Sequence, residues 1–405
     1  MNHRLVLLAI GVVGALGVTA CGNNNSSSSS ASGSVSSSAS RAPIKLMTMG
    51  PVSAPQFSLP SIPVGAQIAV NEINSAGGVD GRKLQLITCN DQNNPDTAAQ
   101  CARAAISDKV AALVGGLENY DRQIEPLLQQ AGIPWVGLVT PDDYTSGNLF
   151  LFGGDAVDAF AAIGMALAKQ GCKHIAVIVT VAAGTQKINA EQIEAGIRAG
   201  GAKVVGTFTV PATAVDFAPT VAAVRSAGAD CIASGASPAQ NGPLLAAVNG
   251  GPKLKIATAS GGAPSTLVVA LGNAANGLLA TAGMLPPTST QGVVPKLVRT
   301  MRAEYPKVPF DQFAETGYAS VTVVAHAAKG LGDVTSSSLM SALPKVKEFD
   351  TGLGPVLDFS IAPVAAYPRL FTVKDYVYVA KSGDYVLAQP EPIDTSPALK
   401  LLGGQ

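Results

Sequence analysis

Charge is scarce in this chain: Asp, Glu, Lys and Arg make up 13% of its 405 residues, against about a quarter in an average soluble protein. The 27 basic and 27 acidic residues cancel, and no basic cluster stands out. A nucleic-acid partner is therefore not expected. Histidine is scarcer still, with three in all. Two of them, His174 and His326, lie beyond the N-terminal leader, one opening an apolar strand-like run and one inside an apolar helix-like run. Both read as structural. GxxxxGK[ST], HExxH and GxSxG patterns are missing, which removes the usual signals for nucleotide hydrolysis, zinc proteolysis and serine esterase chemistry. "GLGDVT" at 330–335 is a poor dinucleotide loop, because it follows a helix-like run rather than a strand. Without any CxxC spacing, no metal site or cofactor is expected and the chain does not read as an enzyme. Beyond the leader no stretch reaches the roughly 18 apolar residues of a membrane helix.

What the N-terminus does contain is distinctive. Arg4 precedes an apolar run, Leu5 to Val18, broken only by glycine. The run falls short of the about 20 residues of a comfortable span, and a basic start, short apolar core and small residues describe a secretory signal peptide. Val18-Thr19-Ala20-Cys21 resembles a bacterial lipobox, in which Cys21 becomes a lipidated N-terminus. An ordinary signal peptide with an incidental cysteine is the other reading. Residues 23–40 are nearly all Asn, Ser, Ala and Gly, a composition that buries no core and behaves as a coil spanning roughly 20–25 Å. Such a segment would tether a folded body to a membrane surface.

Export bears on the remaining cysteines, Cys89, Cys101, Cys172 and Cys231, an even number suited to an oxidising compartment. Cys89 ends the strand-like "KLQLITC" and Cys101 lies in the helix-like "PDTAAQCARAAIS", so the two form the natural local pair. Cys172 and Cys231 each precede a strand-like run; their sulfurs would meet if those strands are parallel neighbours. Four free or metal-binding thiols are the alternative.

The roughly 365 residues after the tether exceed one ordinary core and suggest two lobes. Strand-like "IKLMT" is followed by helix-like "VGAQIAVNEINSAGG", ending at Gly77-Gly78, and then by "KLQLIT", "AAQCARAAIS", "VAALVGG", a helix from about Arg122 to Gln130, and "IPWVGLV". From Asp155 the alternation restarts and runs to "LKIATAS". The fold class is thus α/β, with two doubly wound parallel sheets. "FAETGYASVTVVAHAAKGLG" is a long helix candidate, and "PRLFTVKDYVYVAKSGDYVLA" alternates like a hairpin turning at Ser382-Gly383-Asp384. Ligands in open α/β sheets bind beyond the carboxyl ends of strands. Four polar, small-residue loops occupy such positions: "GGLENYDR", "GLVTPDD", "SGASPAQNG" and "TASGGAPS". Each is equally readable as a plain βα turn; four together point to a shared cleft.

"AVNEINSAGGVDGRKLQL", "NDQNNPDTAAQCA", "VAALVGG", "AGIPWVG" and "VDFAPTVAAVRSAGADCI" resemble the solute-binding proteins of branched-chain amino-acid ABC importers, which have the type I periplasmic-binding-protein fold. The likeness covers residues 43–390. It implies two lobes joined by three crossovers, a small-molecule solute trapped between them, and an importer permease and ATPase as partners. The expected division is signal peptide 1–20, anchor and tether 21–42, first lobe 43–154 and 284–348, second lobe 155–283 and 349–405. By position, Asn119 and Thr140 fall where the family holds the ligand carboxylate, and Phe313 matches an aromatic wall. Phe57 lies in a loop facing it, Tyr120 adjoins Asn119, and Ser237 is a further candidate in "SGASPAQNG". Where amino-acid binders place a second-lobe carboxylate and an aromatic residue for the ligand ammonium, this chain has Ser260 and Gly184. Ser260 carries no charge, so an enclosed ammonium would be left without a counter-ion. The expectation is an extracytoplasmic, lipid-anchored protein that delivers an amino-acid-like solute, or an acid or neutral compound lacking a required ammonium, to an ABC importer. A receptor of the same fold that presents solute to a membrane signalling partner is the alternative. Binding that depends on an ammonium would call for another carboxylate, such as Glu118 or Asp142.

Overall fold

The computed structural model describes residues 42–54, 58–137, 144–153, 156–181 and 186–403, leaving the side chains of 156, 181 and 186–188 undescribed. The chain divides after Ser40, and all described residues belong to the unit Arg41–Gln405. The leader, Cys21 and the serine tract lie outside the described residues, as do Phe57, Thr140, Asp142 and Gly184.

The first series of elements is β1 (Ile44–Gly50), α1 (Ser61–Ser75), β2 (Leu84–Asn90), α2 (Pro95–Ser107), β3 (Ala112–Val114), α3 (Asp121–Gln130), β4 (Trp135–Gly137) and β5 (Leu149–Leu151). The second is α4 (Ala156–Lys169), β6 (His174–Val181), α5 (Gln186–Ala199), β7 (Lys203–Pro211), α6 (Ala218–Ser226), β8 (Cys231–Gly235), α7 (Pro238–Asn249), β9 (Lys255–Ala259), α8 (Ser265–Leu271) and β10 (Leu279–Ala282). There follow α9 (Val294–Glu304), α10 (Gln312–Ala328), α11 (Ser336–Ala342), β11 (Lys374–Lys381), β12 (Asp384–Leu387), β13 (Ile393–Asp394) and α12 (Ser396–Leu402).

The first sheet runs β2-β1-β3-β4-β5, all parallel. The second runs β7-β6-β8-β9-β10 in parallel and is extended by antiparallel β11 and β12, with β13 also on β11. Each parallel core therefore has the strand order 2-1-3-4-5 of a doubly wound sheet, whose ligands sit at the carboxyl ends near the switch between strands 1 and 3. Central β1 reads IKLMTMG and is buried along almost its whole length. Such a near-continuous apolar run is what a strand covered on both faces needs.

Local chemistry fixes the helix starts. Asn94 caps α2 by accepting from the N–H groups of Asp96 and Thr97, with Pro95 at the first helical position. Asp311 caps α10 in the same way, accepting from Phe313 and Ala314. Helix α10 returns to the first sheet, packing on α1, β3 and β4. Its approach to α1 is very close: a Cβ added to Gly65 would lie 1.8 Å from the Ala314 carbonyl oxygen. Glycine is required there because any side chain would hold the helices apart. On the second sheet α4, α5 and α12 pack together, while α6, α7 and α8 form a second series.

The hairpin is shorter than the alternation of residues 368–388 suggests. Its first strand starts at Lys374, and Ser382 and Gly383 form a two-residue turn, both with positive φ, between Lys381 and Asp384. Upstream, Leu370 instead bridges β5 at Leu151 in parallel. Two disulfides are present. Cys89–Cys101 ties β2 to α2 with a Cα separation of 5.8 Å, and Cys172–Cys231 joins the starts of neighbouring parallel β6 and β8 at 6.0 Å. Asp230, beside the second pair, accepts from the N–H groups of Lys173 and His174.

Candidate functional site

The carboxyl ends of both sheets frame a cavity of about 450 Å³. The first sheet and its returning helix contribute Leu59, Leu117, Asp311, Gln312, Phe313 and Glu315; the second contributes Ser260, Ala263, Pro264, Tyr378 and Tyr385. Phe313 extends its ring toward Gly261 of the opposite lobe, whose added Cβ would lie 3.7 Å from Phe313 Cζ. Pro238, Pro287 and Pro309 add further apolar wall. A mostly apolar cavity with a few convergent polar groups is the usual form of a small-molecule site.

The polar groups differ in what they still offer. Tyr378 Oη donates to the Met284 carbonyl at 2.5 Å, and Tyr385 Oη to the Ala263 carbonyl at 2.8 Å. A tyrosine has one hydroxyl proton, so both hydroxyls are left only as acceptors. Burial raises both phenols' pKa values. Asp311 accepts from Phe313, Ala314 and Ser61 Oγ; burial nevertheless pushes its carboxyl up to about 6. Glu315 is 1% exposed. Burial, with the Asp311 charge adding to it, holds its carboxyl well above the usual range. Glu315 Oε1, Gln312 Oε1 and Ser260 Oγ are buried without a hydrogen-bond partner.

A second cavity of about 380 Å³ adjoins the first, sharing Pro238 and Gly261. It is lined by Phe160, Thr180, Asn189, Ser237 and Thr258 at the carboxyl ends of the second sheet. Ser237 Oγ donates to Gln240 Oε1 at 3.1 Å at the start of α7, so its capping role accounts for its hydroxyl proton.

Of the residues singled out in the sequence, Ser260 and Phe313 meet in the larger cavity and Ser237 lines the neighbouring one. Asn119 and Tyr120 line neither. Asn119 Nδ2 donates to Asn93 Oδ1 and Tyr120 Oη to the Asn93 carbonyl, both at 2.8 Å. The two side chains thereby brace the β2–α2 turn. Beside them Glu118 is fully buried; burial and the neighbouring Asp91 raise its carboxyl to about 9. Sequence reasoning missed Asp311, Gln312 and Glu315. The signal available was a capping aspartate followed four residues later by a second carboxylate on the face that α10 turns to the cleft.

Two open parallel sheets of equal strand order, facing each other across an apolar cavity, define a two-lobed capture protein. The chain belongs to the periplasmic binding protein family, which it matches over residues 43–362. It is 25% identical over 328 residues to "Leu/Ile/Val-binding protein homolog 3" of Brucella melitensis, covering 78% of this chain and 88% of that protein. Its fold is shared with a fatty acid ABC transporter substrate-binding protein from Thermomonospora curvata, at a TM-score of 0.73 and 18% identity, over 88% of this chain and 94% of that one. The branched-chain amino acid transporter substrate-binding protein of Streptococcus pneumoniae, in complex with isoleucine, superposes with a TM-score of 0.70 and 21% identity, over 87% and 99%. Among the described residues no helix is long and apolar enough to cross a membrane.

Proposed function

We propose that this protein captures a small solute with an apolar body outside the cytoplasm and delivers it to the permease and ATPase of an ABC importer. The observation that carries this reading is the cavity of about 450 Å³ with walls from both sheets. Closure of the walls on a solute would bury its apolar surface at about 25 cal/mol per Å². Cys21 would anchor the protein by its lipid, with the serine tract as tether. The lobes would be 43–154 with 284–348, and 155–283 with 349–405. Their junctions would act as hinges, a few residues absorbing the rotation. Two junctions lie side by side, since Leu285 N–H donates to the Leu353 carbonyl at 2.8 Å and Val293 N–H to that of Gly352 at 3.1 Å.

The absence of charge at Ser260 argues on sequence grounds for a solute without a required ammonium. Asp311 and Glu315 in the cleft weaken that argument, because they bring carboxyls from the opposite lobe. Native mass spectrometry of protein purified without denaturation tests the capture reading. It should show a co-purifying small molecule that raises the ATPase rate of the reconstituted importer when presented by this protein. A solute chemically converted during incubation would contradict it.

A further inference from the structure

We infer that Gln240 and Asn241, adjacent in the first turns of α7 and lining neither cavity, are the positioning residues of the solute-binding wall in the second lobe. The inference rests on the capture reading and names what holds its site in shape. In the sequence both are polar members of the strand-end loop "SGASPAQNG", where a direct solute contact is the natural expectation. Both are buried, at 2% and 3% exposure. Apart from Asn249 they are the only polar side chains of α7.

Asn241 joins β8 to β9. Its Nδ2 donates to the Ala236 carbonyl at 2.9 Å and to the Gly262 carbonyl at 2.7 Å, and its Oδ1 accepts from Ser234 Oγ at 2.7 Å. Ala236 and Gly262 lie past the last residues of β8 and β9, where the strand ladder no longer supplies donors. A carbonyl only accepts, so an amide nitrogen suits those two positions and a carboxylate oxygen does not. Gly262 packs onto this contact: a Cβ added to it would lie 2.4 Å from Thr258 Oγ1 and 3.1 Å from Asn241 Nδ2.

Gln240 acts in the same way on β6 and β7. Its Nε2 donates to the Pro211 carbonyl at 2.8 Å, and its Oε1 accepts from Thr180 Oγ1 at 2.5 Å and from Ser237 Oγ at 3.1 Å. Two neighbouring amides thus tie together the carboxyl ends of β6, β7, β8 and β9, which carry Thr180, Ala212, Ala236, Thr258 and Gly261 to the cavities. Tyr385 Oη holds the next carbonyl, that of Ala263, at 2.8 Å, so the β9–α8 loop is fixed from the hairpin as well. A wall fixed before the solute arrives loses little freedom on binding, which is how such a clasp strengthens capture.

The test is hydrogen-exchange mass spectrometry of the full chain, with native mass spectrometry of the same preparations. Asn241→Asp keeps the shape and the acceptor but removes both donors. It should speed exchange roughly tenfold or more in residues 236–237 and 260–263 while leaving 212–214 at the parent rate. It should also lower the fraction of molecules carrying a co-purifying solute by roughly tenfold or more. Gln240→Glu keeps its acceptor and loses the donor to Pro211, so it should speed exchange in 212–214 and leave 260–263 unchanged. This split separates positioning from a general loosening of α7, which would speed both segments alike in either variant. Asn241→Ala should reproduce the Asn241→Asp pattern without introducing a charge, and is the variant to read if the carboxylate prevents folding. Both segments speeding together, or Asn241→Asp retaining solute as the parent does, would overturn the positioning role and leave solute capture standing. A parent chain without any co-purifying solute would overturn capture itself, and the positioning role with it.

Discussion

Replacing Gly65 by alanine sets two effects against each other, and their magnitudes differ enough to decide. Gly65 lies inside α1, where helix propensity alone favours alanine by about 1 kcal/mol. Packing opposes it. The new Cβ would stand 1.8 Å from Ala314 O, 2.7 Å from Ala314 C and 3.0 Å from Ala314 Cα. Reaching ordinary contact requires roughly 1.6 Å of separation between α1 and α10, an overpacking that typically costs about 1–3 kcal/mol and sometimes more. The obstacle is backbone, which cannot rotate aside as a side chain would. Gly317 seals the same crossing, since its Cβ would lie 2.2 Å from Ile62 O. Because the clash is with backbone, the upper end of that cost applies, and net of the propensity gain we expect Gly65→Ala to lose about 2 kcal/mol in urea unfolding followed by far-ultraviolet circular dichroism. The shift should also weaken solute binding, because the first turns of α10 carry Phe313 and Glu315 into the cleft. Gly147, with nothing within 4 Å of its added Cβ, is the control, and Gly147→Ala should stay within about 0.5 kcal/mol of the parent. A Gly65→Ala protein as stable as the parent would refute the claim that this close approach positions the site.

Removing the disulfides should destabilise in the order of loop length. The separations of 12 and 59 residues correspond to about 3 kcal/mol for Cys89–Cys101 and about 4 kcal/mol for Cys172–Cys231; paired Cys→Ala variants in urea check this, and the reverse order would contradict it. Burial raises the Asp311 carboxyl to about 6, so its contribution to stability is present below about pH 4 and lost as pH rises through 6, a change of about 3 kcal/mol. Asp311→Asn, which keeps a capping acceptor, should flatten this part of the stability–pH curve; an unchanged slope would show that the group is not desolvated. Asp311→Ala should in addition lose about 1 kcal/mol through the cap. Cys21→Ser should release the body into the medium or leave an unprocessed precursor, and normal retention of processed protein would contradict lipid anchoring.

The doubly wound sheets were legible because parallel strands buried on both faces leave continuous apolar runs, as in IKLMTMG. The short strands β5 and β10, of three and four residues, leave too little pattern to be read against the helices that follow. The positive φ of Ser382 and Gly383 was readable as a turn; the bridge from Leu370 to Leu151 was not, since it depends on a partner more than two hundred residues away. The site divides in the same manner. Phe313 and Ser260 could be placed by resemblance, whereas Glu315 sits in "FAETGYASV" and reads as an ordinary acidic residue in a helix's opening turns. It is buried in a cavity lined by residues distant along the chain, which no local pattern states. Asn119 and Tyr120 also hydrogen-bond to the turn at Asn93, a contact that polar residues after a strand do not announce.

Solute capture between the lobes is tested most directly by filling the cavity from within. Gly261 faces Phe313 across it, with the nearest atom 3.7 Å from an added Cβ and no left-handed backbone to strain. Gly261→Trp should therefore fold, occupy the cleft and abolish the co-purifying solute in native mass spectrometry, with the unfolding midpoint of the free protein close to the parent's. A folded Gly261→Trp protein that retains the same small molecule at the same occupancy would place the binding site elsewhere and contradict the account.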